Sequence, residues 1–299
     1  MKKMIEYYYN FKNIELNTIG NEHYFNYNNK KYVFFYCRRS PHELDLLNKI
    51  LIKDKKYNKI IHNIFNHPIT TVGGKQYVLV QILNDYGTEK INLNDILVSY
   101  NICNINKYMV LLRVDWYSLW TKKVDYILYQ KEHIRGKYKI IEQYLDYYLG
   151  MAENSISYFK KTMDTFKNYN STYTLSHRRI KSSLRSVFYN LDDLIIDYPV
   201  RTLSEYLKHK FFSNKVTLKD LNFIFSKVKY DEFMYRLLYA RMVFPSYFFD
   251  EYEKVVNDNL SEEQLINMIN RINEYEIFLK NIFYTINKKT RIPQVEWLS

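Results

Sequence analysis

The chain of 299 residues has two cysteines, six glycines and five prolines, and no apolar run of the roughly 20 residues needed to cross a bilayer. Cys37 and Cys103 are too few for a disulfide framework and lack metal-ligand spacing, so both are expected to be buried or incidental thiols. Seven histidines are scattered without an H-x-x-x-H pair or a neighbouring cysteine, which leaves no zinc signature, and no structural metal is expected. The start, Met1-Lys2-Lys3-Met4-Ile5-Glu6, is basic but carries an acid and no apolar core, so no secretory signal is expected and the protein is placed in the cytosol.

What is abundant is lysine, asparagine, isoleucine and aromatic residues, including 32 tyrosines. Their codons are A/T-rich, so a low-GC genome accounts for much of the net charge of +12. Without a recognised reader motif, that charge gives only a weak case for nucleic-acid binding. Apolar residues make up 47 % of the chain, enough for a large core.

The hydrophobic period changes along the chain. Residues 21–37, "NEHYFNYNNKKYVFFYC", read as two strands about an Asn28-Asn29 turn. In "SPHELDLLNKIL", Ser40 caps a helix that opens with Pro41 and buries Leu44, Leu47, Ile50 and Leu51. A second hairpin turns at Gly73-Gly74. After Asn84-Asp85-Tyr86-Gly87-Thr88 the period becomes helical. The reading is therefore an α+β protein of two lobes: residues 1–84, with four or five antiparallel strands and one helix, and a larger helical lobe, 85–299. Residues 111–128 predict one long helix whose tryptophan and leucine stripe (Leu112, Trp116, Leu119, Trp120, Val124, Ile127, Leu128) is assigned to packing. Another helix is predicted from Ser261, with Gln264 completing a capping box and Leu265, Ile269, Ile272, Tyr275 and Leu279 inside.

A sheet with one helix, a hinge and a helical body is the plan of protein kinases, whose chemistry needs an aspartate to orient the attacking hydroxyl and further groups to hold magnesium against the phosphates. Here an apolar run leads to His177-Arg178-Arg179, and a second, Leu194-Ile195-Ile196, leads to Asp197. The chain resembles the aminoglycoside and choline phosphotransferase superfamily and, within it, the spore-coat kinase-like (CotS/YutH-like) family of endospore-forming bacteria. The stretches that carry this resemblance are "WYSLWTKKVDYILYQ", "YYLGMAENSISYF", "SHRRI", "IIDYPVRTLSEYLK" and the closing "IPQVEWL".

On that alignment the catalytic loop is degenerate. Arg179 stands for the catalytic aspartate after His177, and Leu184 for the metal-binding asparagine. No Gly-x-Gly-x-x-Gly joins the first strands, and Phe34, Phe35 and Tyr36 occupy the strand where a phosphate-binding lysine belongs. Glu43 resembles that lysine's partner, left without it. Lys30, Lys31, Arg38 and Arg39 are expected to point to water rather than replace the lysine. Asp197 alone is a weak magnesium candidate, equally read as an acceptor of backbone N–H groups before Pro199.

From Phe166 to Leu191 there is no acid, and the basic side chains include Arg178, Arg179, Lys181 and Arg185. These read either as a solvated basic loop or as an anion site in the old cleft, where arginine would hold phosphate or carboxylate without a metal. An ion pair between Arg179 and Asp197 is expected to fill the metal position. The resemblance thus implies a pseudokinase that acts by binding, with spore-coat proteins as partners and with no cofactor. The alternatives are an active phosphotransferase using ATP, magnesium and displaced acids (Asp192, Asp193 or Asp197), and a basic polyanion binder.

Overall fold

The computed structural model describes residues 1–98, 100–213, 216–258 and 260–298. The chain divides into two compact units, each built from separated segments. The first comprises Met1–Asn92, Asn104–Leu112 and Arg179–Ile195; the second comprises Leu93–Cys103, Arg113–Arg178 and Ile196–Ser299.

The first unit opens with a helix, α1 (Lys2–Tyr9), where the sequence reading had only strands and one later helix. Tyr7-Tyr8-Tyr9 favours a strand by local propensity. Ile5 and Tyr9, four residues apart, lie on one helix face and are buried, and that tertiary contact decides the outcome. Strands β1 (Asn17–Ile19), β2 (Glu22–Tyr27) and β3 (Lys30–Tyr36) follow, then α2 (Pro41–Ile50), β4 (Lys59–Ile61), β5 (Ile69–Val72) and β6 (Lys75–Ile82). They form one antiparallel sheet of six strands, rather than four or five, in the order β1-β2-β3-β6-β4, with β5 pairing β6 beyond β4. The added strands β1 and β4 have three residues each, too few to show an alternating pattern.

Both expected hairpin turns are present. Asn28 and Asn29 sit at φ 49° and 58°, and Gly73 and Gly74 at 56° and 76°, the left-handed pair that a two-residue turn between twisted strands requires. Ser40 caps α2 with Pro41 in its first turn, as expected, and Glu43, not read as part of the cap, completes a capping box.

Register assigns the two faces of the sheet. Val33 pairs with Tyr24 on one side and Val80 on the other, while Phe34 pairs with His23 and Leu79. Phe34, Phe25, Tyr32 and Leu79 face α1 and enclose Ile5 and Tyr9. Tyr36, at the strand end, is 43 % exposed. Phe34 and Tyr36 thus share one face and both meet the Tyr77 ring, one buried and the other half-exposed, while Phe35 lies on the opposite face.

The second unit contains α3 (Leu93–Leu97), α4 (Trp116–His133), α5 (Lys139–Thr165) and β7 (Thr174–His177). The chain then returns to the first unit for the one-turn helix α6 (Arg185–Phe188). β8 (Leu194–Asp197) ends in the second unit, followed by α7 (Val200–Ser213), α8 (Leu218–Lys227), α9 (Glu232–Val243), α10 (Ser246–Asp258), α11 (Glu263–Ile269) and α12 (Ile272–Asn287). The helix expected over 111–128 begins at Trp116, because Asp115 caps it by accepting from Ser118 N. Leu112 is thus outside it, and Leu119 and Leu128 are exposed rather than core. The last predicted helix is two helices, broken at Asn270-Arg271, and Ser261 Oγ accepts from Glu263 N instead of closing a box with Gln264.

Two outcomes test this description. Phe34→Ala should lower unfolding free energy by about 3–5 kcal/mol in urea denaturation, whereas Tyr36→Ala, which loses a half-exposed ring paired with Tyr77, should cost only about 1 kcal/mol. Burial pushes the Tyr9 phenol from 10.0 up to about 12, despite its bond with Thr70 Oγ1. The folded state then resists ionisation, so the contribution is complete below pH 10 and is lost as pH rises towards 12. Tyr9→Phe should therefore lose less stability than the wild type between pH 10 and 12, by up to about 2–3 kcal/mol.

Candidate functional site

In the second unit the site is organised by the end of β8. Asp197 is fully buried where the strand stops, and Tyr198-Pro199 leads directly into α7. Its Oδ1 accepts from Trp116 Nε1 at 2.9 Å and from Tyr198 N at 2.8 Å, and its Oδ2 accepts from Arg201 Nη1 at 2.9 Å. Both oxygens are also near the indole N–H, Oδ2 at 3.2 Å. Within the second unit the cation that pairs with Asp197 is Arg201, one helical turn on. Burial pushes the Asp197 carboxyl up, and the Arg201 and Arg241 guanidiniums oppose that push.

The pairing continues along the helix. Arg201 Nε lies 3.3 Å from Glu205, whose Oε1 accepts from Arg241 Nη2 at 2.8 Å and Nε at 3.2 Å. Arg241 lies over the rings of Trp116 and Trp120, 5.4 and 5.5 Å from their centroids. A second Arg201 nitrogen, Nη2, donates to the Arg178 carbonyl at 2.7 Å and so fixes the chain just after β7. Asp197, Arg201, Glu205 and Arg241 form an alternating chain of charges, each no more than 5 % exposed.

Arg201, Glu205 and Arg241 were not singled out from the sequence, and Trp116 was read as packing alone. A signal was present for two of them: Asp197-x-x-x-Arg201-x-x-x-Glu205 is the i, i+4 spacing of opposite charges on one helix face. Nothing in the sequence links Arg241 to them. His177 is the buried last residue of β7, not a loop residue, and its N–H donates to Thr202 Oγ1 at 3.1 Å. Arg178 is exposed.

In the first unit, Arg39 departs from expectation. It is 4 % exposed instead of reaching into water. Its Nε donates to the Asp192 carbonyl at 2.8 Å, Nη2 donates to the Leu194 carbonyl, and Nη1 is 3.7 Å from Glu43. Glu43 therefore has a cation after all, supplied from the segment after β3, while its other oxygen closes the cap of α2. Phe35 is buried on the cavity-lining face of β3, opposite to Phe34.

The basic segment from Arg179 onward lies in this unit. Arg179 is half-buried; Lys181 pairs with Asp193 at 2.7 Å. Arg185 pairs with Glu89 at 2.6 Å and lies over Tyr86, 4.7 Å from its centroid. Leu184, half-buried before α6, offers only an aliphatic side chain. Asp192 is 3.8 Å from the Cys37 thiol, which burial pushes up to about 11. Gly20-Asn21 joins β1 to β2 in two residues, a turn too short for a phosphate-covering loop. Among the described residues, no group of three or more His, Cys, Asp or Glu could hold a metal ion, and no helix is long and apolar enough to cross a membrane.

A family model described as "Spore coat putative kinase YutH" matches residues 2–282. The chain belongs to that family. The endospore coat-associated protein YutH of Bacillus subtilis (strain 168) is 29 % identical over 208 residues, a match that spans 61 % of this chain and 61 % of the relative's length. Among solved structures, an aminoglycoside phosphotransferase from Alicyclobacillus acidocaldarius superposes with a TM-score of 0.65 at 11 % identity, covering 96 % of each chain. The AMP-bound spectinomycin phosphotransferase APH(9)-Ia gives 0.61 at 11 % identity, covering 94 % of this chain and 96 % of its own. The family member thus has the kinase-like, aminoglycoside phosphotransferase fold that its sequence resemblance implied.

Breaking the charge chain tests its structural weight. Removing one member leaves a buried charge unpaired, so Arg201→Ala should cost about 3–5 kcal/mol by chemical denaturation. Lys181→Ala, which breaks an ion pair with a 58 % exposed lysine, should cost less than about 1 kcal/mol.

Proposed function

We propose that this family member is a kinase-fold protein without phosphoryl-transfer chemistry, which acts by binding partners during assembly or maintenance of the spore coat. The observation that carries the reading is the state of Asp197. Magnesium is held by carboxylates with room for near-octahedral coordination, whereas Asp197 is buried and already carries the Arg201 guanidinium on one oxygen and the Trp116 and Tyr198 N–H groups on the other, so a second cation would meet a like charge.

The other positions support the same reading. Arginine at 179 has no carboxylate with which to orient a hydroxyl, and Leu184 has no metal donor. Arg39 gives Glu43 a cation, but that cation is committed to the carbonyls of Asp192 and Leu194. Positioning and charge stabilisation supply most of phosphoryl-transfer catalysis, so losing several of these groups together removes the means of acceleration. A coat role rests on the family and on the coat association of the Bacillus relative. Its partners are proteins of that assembly, met in the cytosol or at the spore.

The net charge of +12 is the ground for a second reading, a polyanion binder. Salt-sensitive retention on heparin that survives neutral substitutions at Arg178 and Arg179 would trace such binding to general charge; retention lost on those substitutions would favour an anion site there.

A sensitive ATPase and phosphotransfer assay, with aminoglycoside, choline-like and protein acceptors, tests the main reading on wild type, Arg179→Asp and Asp197→Asn. No magnesium-dependent turnover is expected in any of the three, because restoring one acid leaves the metal and phosphates unheld. Turnover in the wild type that disappears in Asp197→Asn would establish an unconventional phosphotransferase instead.

A further inference from the structure

Directly paired residues in an antiparallel sheet share a face. Glu22, Tyr24, Lys31, Val33 and Phe35 therefore lie together, opposite to the face that α1 covers. They line a cavity of about 320 Å³ within the first unit, closed further by the Asn84–Gly87 segment and by Ser186, Val187 and Asn190. The volume lies at the low end of small-molecule sites, about 300–1,000 Å³.

Its chemistry is unusual for so basic a chain. Val33, Phe35 and Ile82 give an apolar floor, and Tyr86 adds an aromatic edge. The charged lining groups are two carboxylates, Glu22 and Asp85, and one ammonium, Lys31. Lys31 is already paired with Asp85 at 3.1 Å, and that pairing holds the Asp85 carboxyl below its usual range. Glu22 is left as the uncompensated charge of the lining, and the Tyr24 hydroxyl donates to it. Burial and Glu22 both push the Tyr24 phenol up, which keeps it a neutral donor. A polyphosphate would meet this carboxylate beside a two-residue turn, whereas a cation would meet it while the one lining ammonium, Lys31, is held by Asp85.

We propose that this cavity binds a small organic cation, an amine or amidine whose flat apolar body rests on Val33, Phe35 and Ile82 and whose charged head meets Glu22. The assignment rests on the reading that phosphoryl transfer has been lost, since a working nucleotide site would require the opposite charge.

Titration calorimetry of the full chain with benzamidine, its neutral isostere benzamide and the anion benzoate separates charge from shape. Benzamidine should bind, benzamide more weakly, and benzoate at least tenfold more weakly than benzamidine. Glu22→Gln keeps an acceptor for Tyr24 and should reduce benzamidine affinity about tenfold, towards that of benzamide. Ser186→Trp, at an exposed lining position, should abolish binding by filling the space. If Glu22→Gln does not fold, the Ser186 variant and the three-ligand series still decide the matter. Absence of benzamidine binding, equal affinity for all three ligands, or unchanged affinity in both variants would overturn the proposal. Absent binding together with absent ATP turnover would sink this inference alone, whereas magnesium-dependent ATP turnover would overturn the loss-of-activity reading beneath it.

Discussion

The second unit depends on one buried chain of charges, Asp197–Arg201–Glu205–Arg241. Burying four ions costs several kcal/mol each, and the cost is offset only when each finds opposite charges and its hydrogen-bonding groups are satisfied. The two acids balance the two bases, Trp116 and a backbone N–H complete Asp197, and the Arg178 carbonyl takes a further guanidinium proton. The chain links four elements: α4 through Trp116, the end of β8, α7 and α9. An exposed salt bridge could not hold these elements in register, because water would screen it and side-chain entropy would loosen it.

The same arrangement limits the chemistry. The oxygens of Asp197 are shared among an indole N–H, a backbone N–H and a guanidinium, so redirecting either oxygen would disturb contacts of the core. The first unit uses arginine in a related way. Arg39 joins the cap of α2 to the segment before β8 through Glu43 and two carbonyls. Guanidinium suits this task better than ammonium, because its planar fork sends donors in several fixed directions at once.

Much of the fold was legible because its signals are local. Asn28-Asn29 and Gly73-Gly74 demand left-handed turns, and Ser40-Pro41 announces a helix start whatever surrounds it. The errors fall where tertiary contact outweighs local preference. The three tyrosines of α1 look like a strand until Ile5 and Tyr9 are given a sheet to cover. Asp115 moves the start of α4 past Leu112, and the Asn270-Arg271 break leaves no proline or glycine to mark it. In the candidate site, Asp197 and Arg179 were found by alignment with a catalytic pattern. Their surroundings were not, because an alignment to enzymes says what should be near a metal, not what replaces it. Arg39 was placed in water by the usual behaviour of a side chain at a strand end, a rule that gives way when buried carbonyls and a carboxylate lie within reach.

That contrast also changes what the basic composition means. A count of +12 suggests an anion-binding surface, yet Arg39, Arg201 and Arg241 are inside, and Lys181 and Arg185 are paired with Asp193 and Glu89. Those five charges are used within their own units. Formal charge in sequence is therefore a poor guide to the field at any one site, and the cavity beneath the β2–β3 face can be acidic in lining within a strongly basic chain. Fold likeness carries no better warrant for ligand charge: two chains can share the sheet, the hinge and the helical body while the groups lining one cavity reverse the sign of what it will accept.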